Sequence, residues 1–81
     1  MDDLVRKVLA VAEAERASSV VRIRVRLGAL SHFTPAHFRE HWEDASRGTV
    51  AEGAAVDAAL DASLEGDAAQ GVVLESVELA D

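Results

Sequence analysis

The stretch whose residue types could most directly do chemistry is His37-Phe38-Arg39-Glu40-His41. On a helix, positions i and i+4 share one face, so two histidines at this spacing can hold one transition-metal ion. The order His-x-x-Glu-His also occurs in one group of zinc peptidases. His32 or a nearby acid could add a third ligand. The segment therefore presents a candidate metal site, whose ligands are His37 and His41.

Three interpretations of this segment remain open. A small zinc hydrolase is the remote one, because a peptidase needs a third protein ligand and a substrate cleft, for which 81 residues leave little room. Metal binding without catalysis is more plausible, although a His-x-x-x-His pair alone is a weak transition-metal site. Solvent-facing histidines beside a buried stripe that contains Phe38 and Trp42 are the favoured interpretation.

Composition excludes several classes of function. The chain has no cysteine, which removes disulfides, thiol catalysis and cysteine-ligated zinc. No Ser-His-Asp set, phosphate loop or dinucleotide fingerprint is present, so we expect no enzyme. The net charge of −7 argues against nucleic acid as a partner. The acidic start and the lack of a long apolar run predict a cytoplasmic protein with no signal peptide and no membrane span.

The charge is unevenly divided along the chain. Residues 1–47 hold all eight basic residues and seven acids, whereas residues 48–81 hold eight acids and no base. The acids of the second part could form a patch for a hard cation or a basic partner. Pairing across strands with the arginines of the first part is favoured, since opposite charges often face each other in sheets. The residues concerned are Asp57, Asp61, Glu75 and Glu78 on one side, and Arg22, Arg24 and Arg26 on the other.

Hydrophobic periodicity predicts the elements that position these side chains. Helical spacing predicts a helix from about Asp3 to Ala17, and alternation predicts a strand that ends at Gly28. Thr34-Pro35 marks the start of a second helix, with Phe33 and Phe38 placed as a hydrophobic staple. This helix should stop before Arg47-Gly48.

Two further strands are predicted in the acidic part of the chain. The first covers residues 56–65, and the second covers residues 72–79 with a β-bulge at Glu75-Ser76. The predicted fold is an α/β (α+β) domain in the order α-β-α-β-β, with two helices on one face of a three-stranded sheet. We expect the last two strands to form an antiparallel hairpin joined near residues 66–71.

Three segments resemble the HypA/HybF hydrogenase nickel-incorporation family. They are Val25-Arg26-Leu27-Gly28-Ala29-Leu30-Ser31, Arg47-Gly48-Thr49-Val50-Ala51-Glu52-Gly53-Ala54, and the bulged segment from Gly71 to Leu79. Together with the two helices they span nearly the whole chain, and the loop of residues 47–54 is the most specific piece. Within that loop Glu52 either caps a turn or contacts a partner, and the structural role is favoured.

The resemblance implies that residues 1–81 are one nickel-binding-type domain without the family's cysteine-bearing zinc ribbon, so no structural zinc is expected. It implies a metallochaperone role in hydrogenase maturation, or urease maturation in some organisms. The implied partners are a GTPase of the HypB type and a hydrogenase large subunit. Nickel would bind at Met1, Asp2 and Asp3, where Asp2 stands in place of the family's histidine. A metal-free adaptor that kept the fold is the alternative.

Overall fold

A computed structural model describes residues 2–81, except for the side chain of Asp2. The elements are α1 (Asp2–Ala14), β1 (Ser19–Gly28), α2 (Pro35–Ser46), β2 (Ala55–Asp61), a short 3₁₀ helix (Gly66–Gln70) and β3 (Val72–Ala80). The predicted α+β class and the order α-β-α-β-β are confirmed. Neither helix in the described part of the chain has the length and apolarity needed to cross a membrane.

The first helix ends earlier than predicted because the chain turns back at Arg16. This residue adopts a positive φ of 54°, the conformation that commonly terminates a helix. Its N–H donates to the carbonyl of Glu13, and the N–H of Ala17 donates to the carbonyl of Ala12. These two bonds form a Schellman motif, in which the last carbonyls of the helix find donors before the chain enters β1.

The second helix begins as its sequence predicts. The Thr34 hydroxyl accepts a hydrogen bond from the N–H of His37 at 3.2 Å, and Pro35 occupies the first helical position. The Phe33 ring meets the Phe38 ring edge-on, with 5.9 Å between centroids, as a hydrophobic staple requires. Phe38 and Trp42 are almost fully buried, so the predicted position of the core is confirmed.

The sheet order corrects the predicted hairpin. The strands lie in the order β2-β1-β3: β2 pairs with β1 in parallel, and β3 pairs with β1 in antiparallel fashion. Because α2 carries the chain back to the start of β1, β2 runs in the same direction as β1. A hairpin would also have set two acidic strands beside each other, whereas the observed order places the arginine-bearing β1 between them.

The connection between β2 and β3 therefore crosses the end of β1. The N–H of Gly28 donates to the carbonyl of Gly71 at 3.0 Å, and the N–H of Leu30 donates to the carbonyl of Ala69 at 2.8 Å. A Cβ on Gly28 would overlap the backbone carbonyl of Ala69, so the crossing chain lies directly against this glycine.

β2 is shorter than predicted because it ends in a side-chain turn. The Asp61 carboxylate accepts hydrogen bonds from the N–H and the hydroxyl of Ser63, at 2.9 and 2.5 Å. Such an aspartate turn diverts the backbone from the strand. The chain then leaves the sheet through the 3₁₀ helix instead of continuing to Glu65.

The two faces of the sheet differ in polarity. One face carries both helices, and its buried core residues are Val5, Val8, Ala12, Val20, Ile23, Val25, Leu27, Phe38, Trp42 and Ala51. The opposite face exposes the arginines of β1. In β3 the register skips Glu75, since Ser76 lies opposite Arg24 and Leu74 lies opposite Val25. The predicted bulge is thus confirmed, and it keeps apolar residues of both strand halves toward the helices.

Candidate functional site

His37 and His41 form a close pair on the exposed surface of α2. Their Nε2 atoms are 2.8 Å apart, and their ring centroids are 4.6 Å apart. At this distance one ring donates a hydrogen bond to the other when no metal is bound, and the tautomers decide which ring is the donor. The predicted i, i+4 pairing on one helix face is therefore present, with the two Nε2 atoms turned toward each other.

Phe33 packs against both histidines. Its ring lies edge-on to His37 with 5.8 Å between centroids, and to His41 with 5.9 Å. Edge-on aromatic contacts contribute about 0.5–1.5 kcal/mol each beyond the area that they bury. Sequence analysis identified Phe33 only as the helix staple. The four-residue and eight-residue spacings from Phe33 to His37 and His41 were the signal for this second contact.

The structure does not bring a third ligand to the pair. Among residues 3–81, no three His, Cys, Asp or Glu side chains lie close enough together to hold a metal ion. His32 lies in the loop before α2 with a positive φ of 64°, and its side chain is exposed. Within this part of the chain the structure brings two histidines together without the third ligand that the zinc-hydrolase interpretation needs.

The N-terminal segment at which the resemblance implies nickel binding lies only partly within the described residues. Met1 and the side chain of Asp2 fall outside them. Asp3 is exposed and lies 3.8 Å from Arg6 in an ion pair on the same helix. Asp3 and Phe33 both line an open cavity of about 190 Å³, together with Leu4, Lys7, Phe38 and Val72. The start of α1 thus shares one cavity with the aromatic ring that supports the histidine pair.

The loop of residues 47–54 is held by its own side chains. The Glu52 carboxylate accepts a hydrogen bond from the N–H of Gly48 at 2.7 Å. The Thr49 hydroxyl donates to the carbonyl of Ser46 at 2.6 Å and accepts from the N–H of Ala51 at 3.1 Å. Ala51 is fully buried, which anchors the loop in the core. The favoured structural role of Glu52 is confirmed.

The open face of the sheet carries a row of ion pairs instead of a free acidic patch. Four carboxylates of β2 and β3 face arginines of β1, in the pairs Arg22–Glu78, Arg24–Asp57, Arg26–Asp61 and Arg26–Glu75 at 3.9, 3.4, 3.3 and 2.9 Å. The Glu75 hydrogen bond and charge raise the pKa of Arg26, with a smaller contribution from Asp61. The favoured cross-strand pairing is confirmed, and these carboxylates are not gathered as a cation site.

Comparison with known proteins gives two relatives. A hydrogenase maturation factor HypA of Methylocella silvestris is 45% identical over 58 residues, which cover 67% of this chain and 51% of the relative. A hydrogenase maturation factor HypA of Archaeoglobus fulgidus is 36% identical over 58 residues, which cover 72% of this chain and 53% of the relative. The chain spans about half the length of the curated relatives it matches. No protein-family model matches the chain.

Proposed function

The chain is HypA-like, and from this premise we propose that it is a non-enzymatic accessory protein of nickel–iron hydrogenase maturation. The observation that carries the proposal is the similarity of about two thirds of the chain to two proteins described as hydrogenase maturation factor HypA. The fold also supports the proposal. The loop of residues 47–54 is the most specific part of the resemblance, and hydrogen bonds of Thr49 and Glu52 hold it in a defined conformation.

We propose that the protein acts in the cytoplasm through contacts with a GTPase of the HypB type and with a hydrogenase large subunit. Its cargo would be nickel, bound weakly at Met1, Asp2 and Asp3. The terminal amine and backbone nitrogens are the stronger ligands of this set, because carboxylate is a poorer ligand for Ni²⁺ than nitrogen. Asp3 is exposed and lines the same open cavity as Phe33. This exposure supports the position, because a metal ion has access to Asp3 from solvent.

The maturation role is tested by complementation. The chain is produced in a hydrogenase-bearing host that lacks its own HypA, and hydrogenase activity is measured with and without added nickel. Recovery of activity at low nickel supports the proposal. A matched variant, Glu52→Gln, keeps the size of the loop side chain but weakens its charge-assisted bond to Gly48, and it should recover less activity. No recovery above the empty-vector level, with the chain folded and soluble in the host, contradicts the role.

The nickel cargo is tested separately by calorimetric titration of Ni²⁺ into the metal-free chain produced with a free Met1 amine. An N-terminally extended version serves as the matched control, since it converts the Met1 amine into a peptide nitrogen. Binding that is lost on extension supports the N-terminal position.

A metal-free adaptor is the second candidate, and the presence of Asp2 where the family has histidine favours it. This candidate predicts that the chain complements the host while extension of the terminus changes neither complementation nor Ni²⁺ affinity.

A further inference from the structure

We propose that His37 and His41 form a binding site for one divalent transition-metal ion of octahedral or square-planar preference, such as Ni²⁺ or Cu²⁺. The site lies on α2, uses no atom of residues 1–3, and does not depend on the proposed maturation role. Its ligands would be the two Nε2 atoms, which are already 2.8 Å apart.

The distance between the two nitrogens decides the geometry. Imidazole nitrogens bind such metals at about 2.0–2.1 Å, so two adjacent ligands at 90° are about 2.9 Å apart. Two ligands of a tetrahedral ion are about 3.4 Å apart at the same bond length. The observed separation of 2.8 Å between the two Nε2 atoms must increase only slightly for two ligands at 90°, and by more for two tetrahedral ligands. The pair therefore fits Ni²⁺ and Cu²⁺ better than Zn²⁺, and Cu²⁺ should bind more tightly than Ni²⁺.

The surroundings hold the rings in place before a metal arrives. Phe33 meets both rings edge-on, and the Thr34 cap and Pro35 fix the first turn, from which His37 projects. Fixing two ligands in their bound arrangement lowers the entropy cost of chelation. Binding requires that both rings carry their remaining proton on Nδ1, so the metal replaces the hydrogen bond between the two Nε2 atoms without releasing a proton from neutral rings.

The site leaves coordination positions open. Among residues 3–81 no third ligand is close to the pair, and both imidazoles are exposed. The remaining positions are therefore accessible to water or to a ligand from another molecule. A site of this kind captures and releases an ion; it does not bury it, because structural metal sites have closed coordination.

The test uses the full chain with an N-terminal extension whose own amine is acetylated, so that no terminal amine can contribute. Cu²⁺, Ni²⁺ and Zn²⁺ are titrated separately by calorimetry, and the Cu²⁺ complex is examined by electron paramagnetic resonance. We expect binding with two imidazole nitrogens on copper. His37→Ala and His41→Ala should each lower the affinity at least about tenfold, because each converts a chelate into a single-ligand site. His32→Ala, which changes the histidine outside the pair, should leave the affinity unchanged.

Circular dichroism establishes that each variant is folded, which exposed positions should permit. Equal affinity in the chain and in the His37→Ala/His41→Ala double variant overturns the proposal, as does an equal loss in His32→Ala. Tighter binding of Zn²⁺ than of Ni²⁺ overturns the assigned geometry. Binding that is lost on N-terminal extension and is unchanged in both histidine variants also overturns the proposal. That result leaves the N-terminal cargo position of the proposed function intact.

Discussion

Gly28 lies where the chain between β2 and β3 passes over the end of β1, and no other residue fits there. A methyl group at this position would meet the carbonyl of Ala69, which is backbone and cannot rotate away. Gly28→Ala should lower the free energy of unfolding by about 3 kcal/mol, since the crossing segment must move and the hydrogen bond from Gly28 to Gly71 must stretch. Chemical denaturation measures the change.

Gly71→Ala is the matched control for this substitution. A Cβ at Gly71 meets only the Asp67 carbonyl at 3.5 Å, an ordinary contact, and the backbone there is extended. We expect a change below about 1 kcal/mol. Equal losses in the two variants would show that close passage of the chain over Gly28 is not what selects glycine.

Asp61 gives the protein a pH-dependent contribution to stability. The hydroxyl and N–H of Ser63, and then Arg26, lower the pKa of Asp61 below its ordinary value of 3.8. A carboxylate with a depressed folded-state pKa stabilises the fold above the unfolded-state pKa, and this contribution is lost as the pH falls through the folded value. Asp61→Asn should therefore reduce stability at neutral pH, and the difference from the original chain should shrink below pH 3.8.

Urea unfolding at a series of pH values measures this dependence. Ser63→Ala, which removes the hydroxyl donor, should show a smaller effect of the same sign and in the same pH range. A difference that grows as the pH is lowered would contradict the assigned role of Asp61.

At the scale of elements, the bulge in β3 absorbs one extra residue. Leu74 and Ser76 already lie opposite consecutive residues of β1, so Glu75 is the residue that the ladder skips. Deleting Glu75 should leave a regular strand that still directs Leu74 and Val77 toward the helices, at the cost of the exposed ion pair with Arg26. We expect cooperative unfolding to persist.

Deleting Val73 is the informative comparison. This residue lies opposite Arg26 in the regular part of the ladder, so its loss turns Val72 away from the helix-covered face. The variant should lose about 3 kcal/mol or more of stability, or its cooperative transition altogether. Thermal unfolding followed by circular dichroism compares the two deletions, and equal behaviour would contradict the assigned register.

At the scale of the whole molecule, the strand order makes the connector between β2 and β3 a crossing segment. Strands β2 and β3 are separated by β1, which places them about 9.5 Å apart, twice the ordinary spacing of neighbouring strands. A two-residue hairpin turn joins only adjacent strands. Replacing residues 62–71 with Asn-Gly should therefore abolish the native fold.

A Gly/Ser segment of the same length as residues 62–71 is the control. It can still cross β1, and it should fold with reduced stability because it lacks the buried Ala69 and the turn at Asp61. Backbone amide spectra and thermal unfolding distinguish the outcomes. A stable Asn-Gly variant with a cooperative transition would mean that β2 and β3 can pair directly.

The sequence by itself determined the local structure of this protein. Alternation of apolar residues and arginines specified β1, Thr34-Pro35 specified the start of α2, and one break in alternation specified the bulge. It also favoured pairing between the arginines of β1 and the acids of the second part, because all the basic residues precede that part. The i, i+4 spacing of His37 and His41 indicated a shared helix face.

Only the tertiary structure decided the strand order and the shape of the histidine site. Hairpin and crossing connections use similar turn residues, and local periodicity does not choose between them. The choice depends on contacts distant in sequence: β1 between two acidic strands, and Gly28 against Ala69. The Nε2 separation of the histidines and their contacts with Phe33 likewise depend on side-chain packing in three dimensions. Residue spacing indicates only that these side chains lie on the same side of the helix.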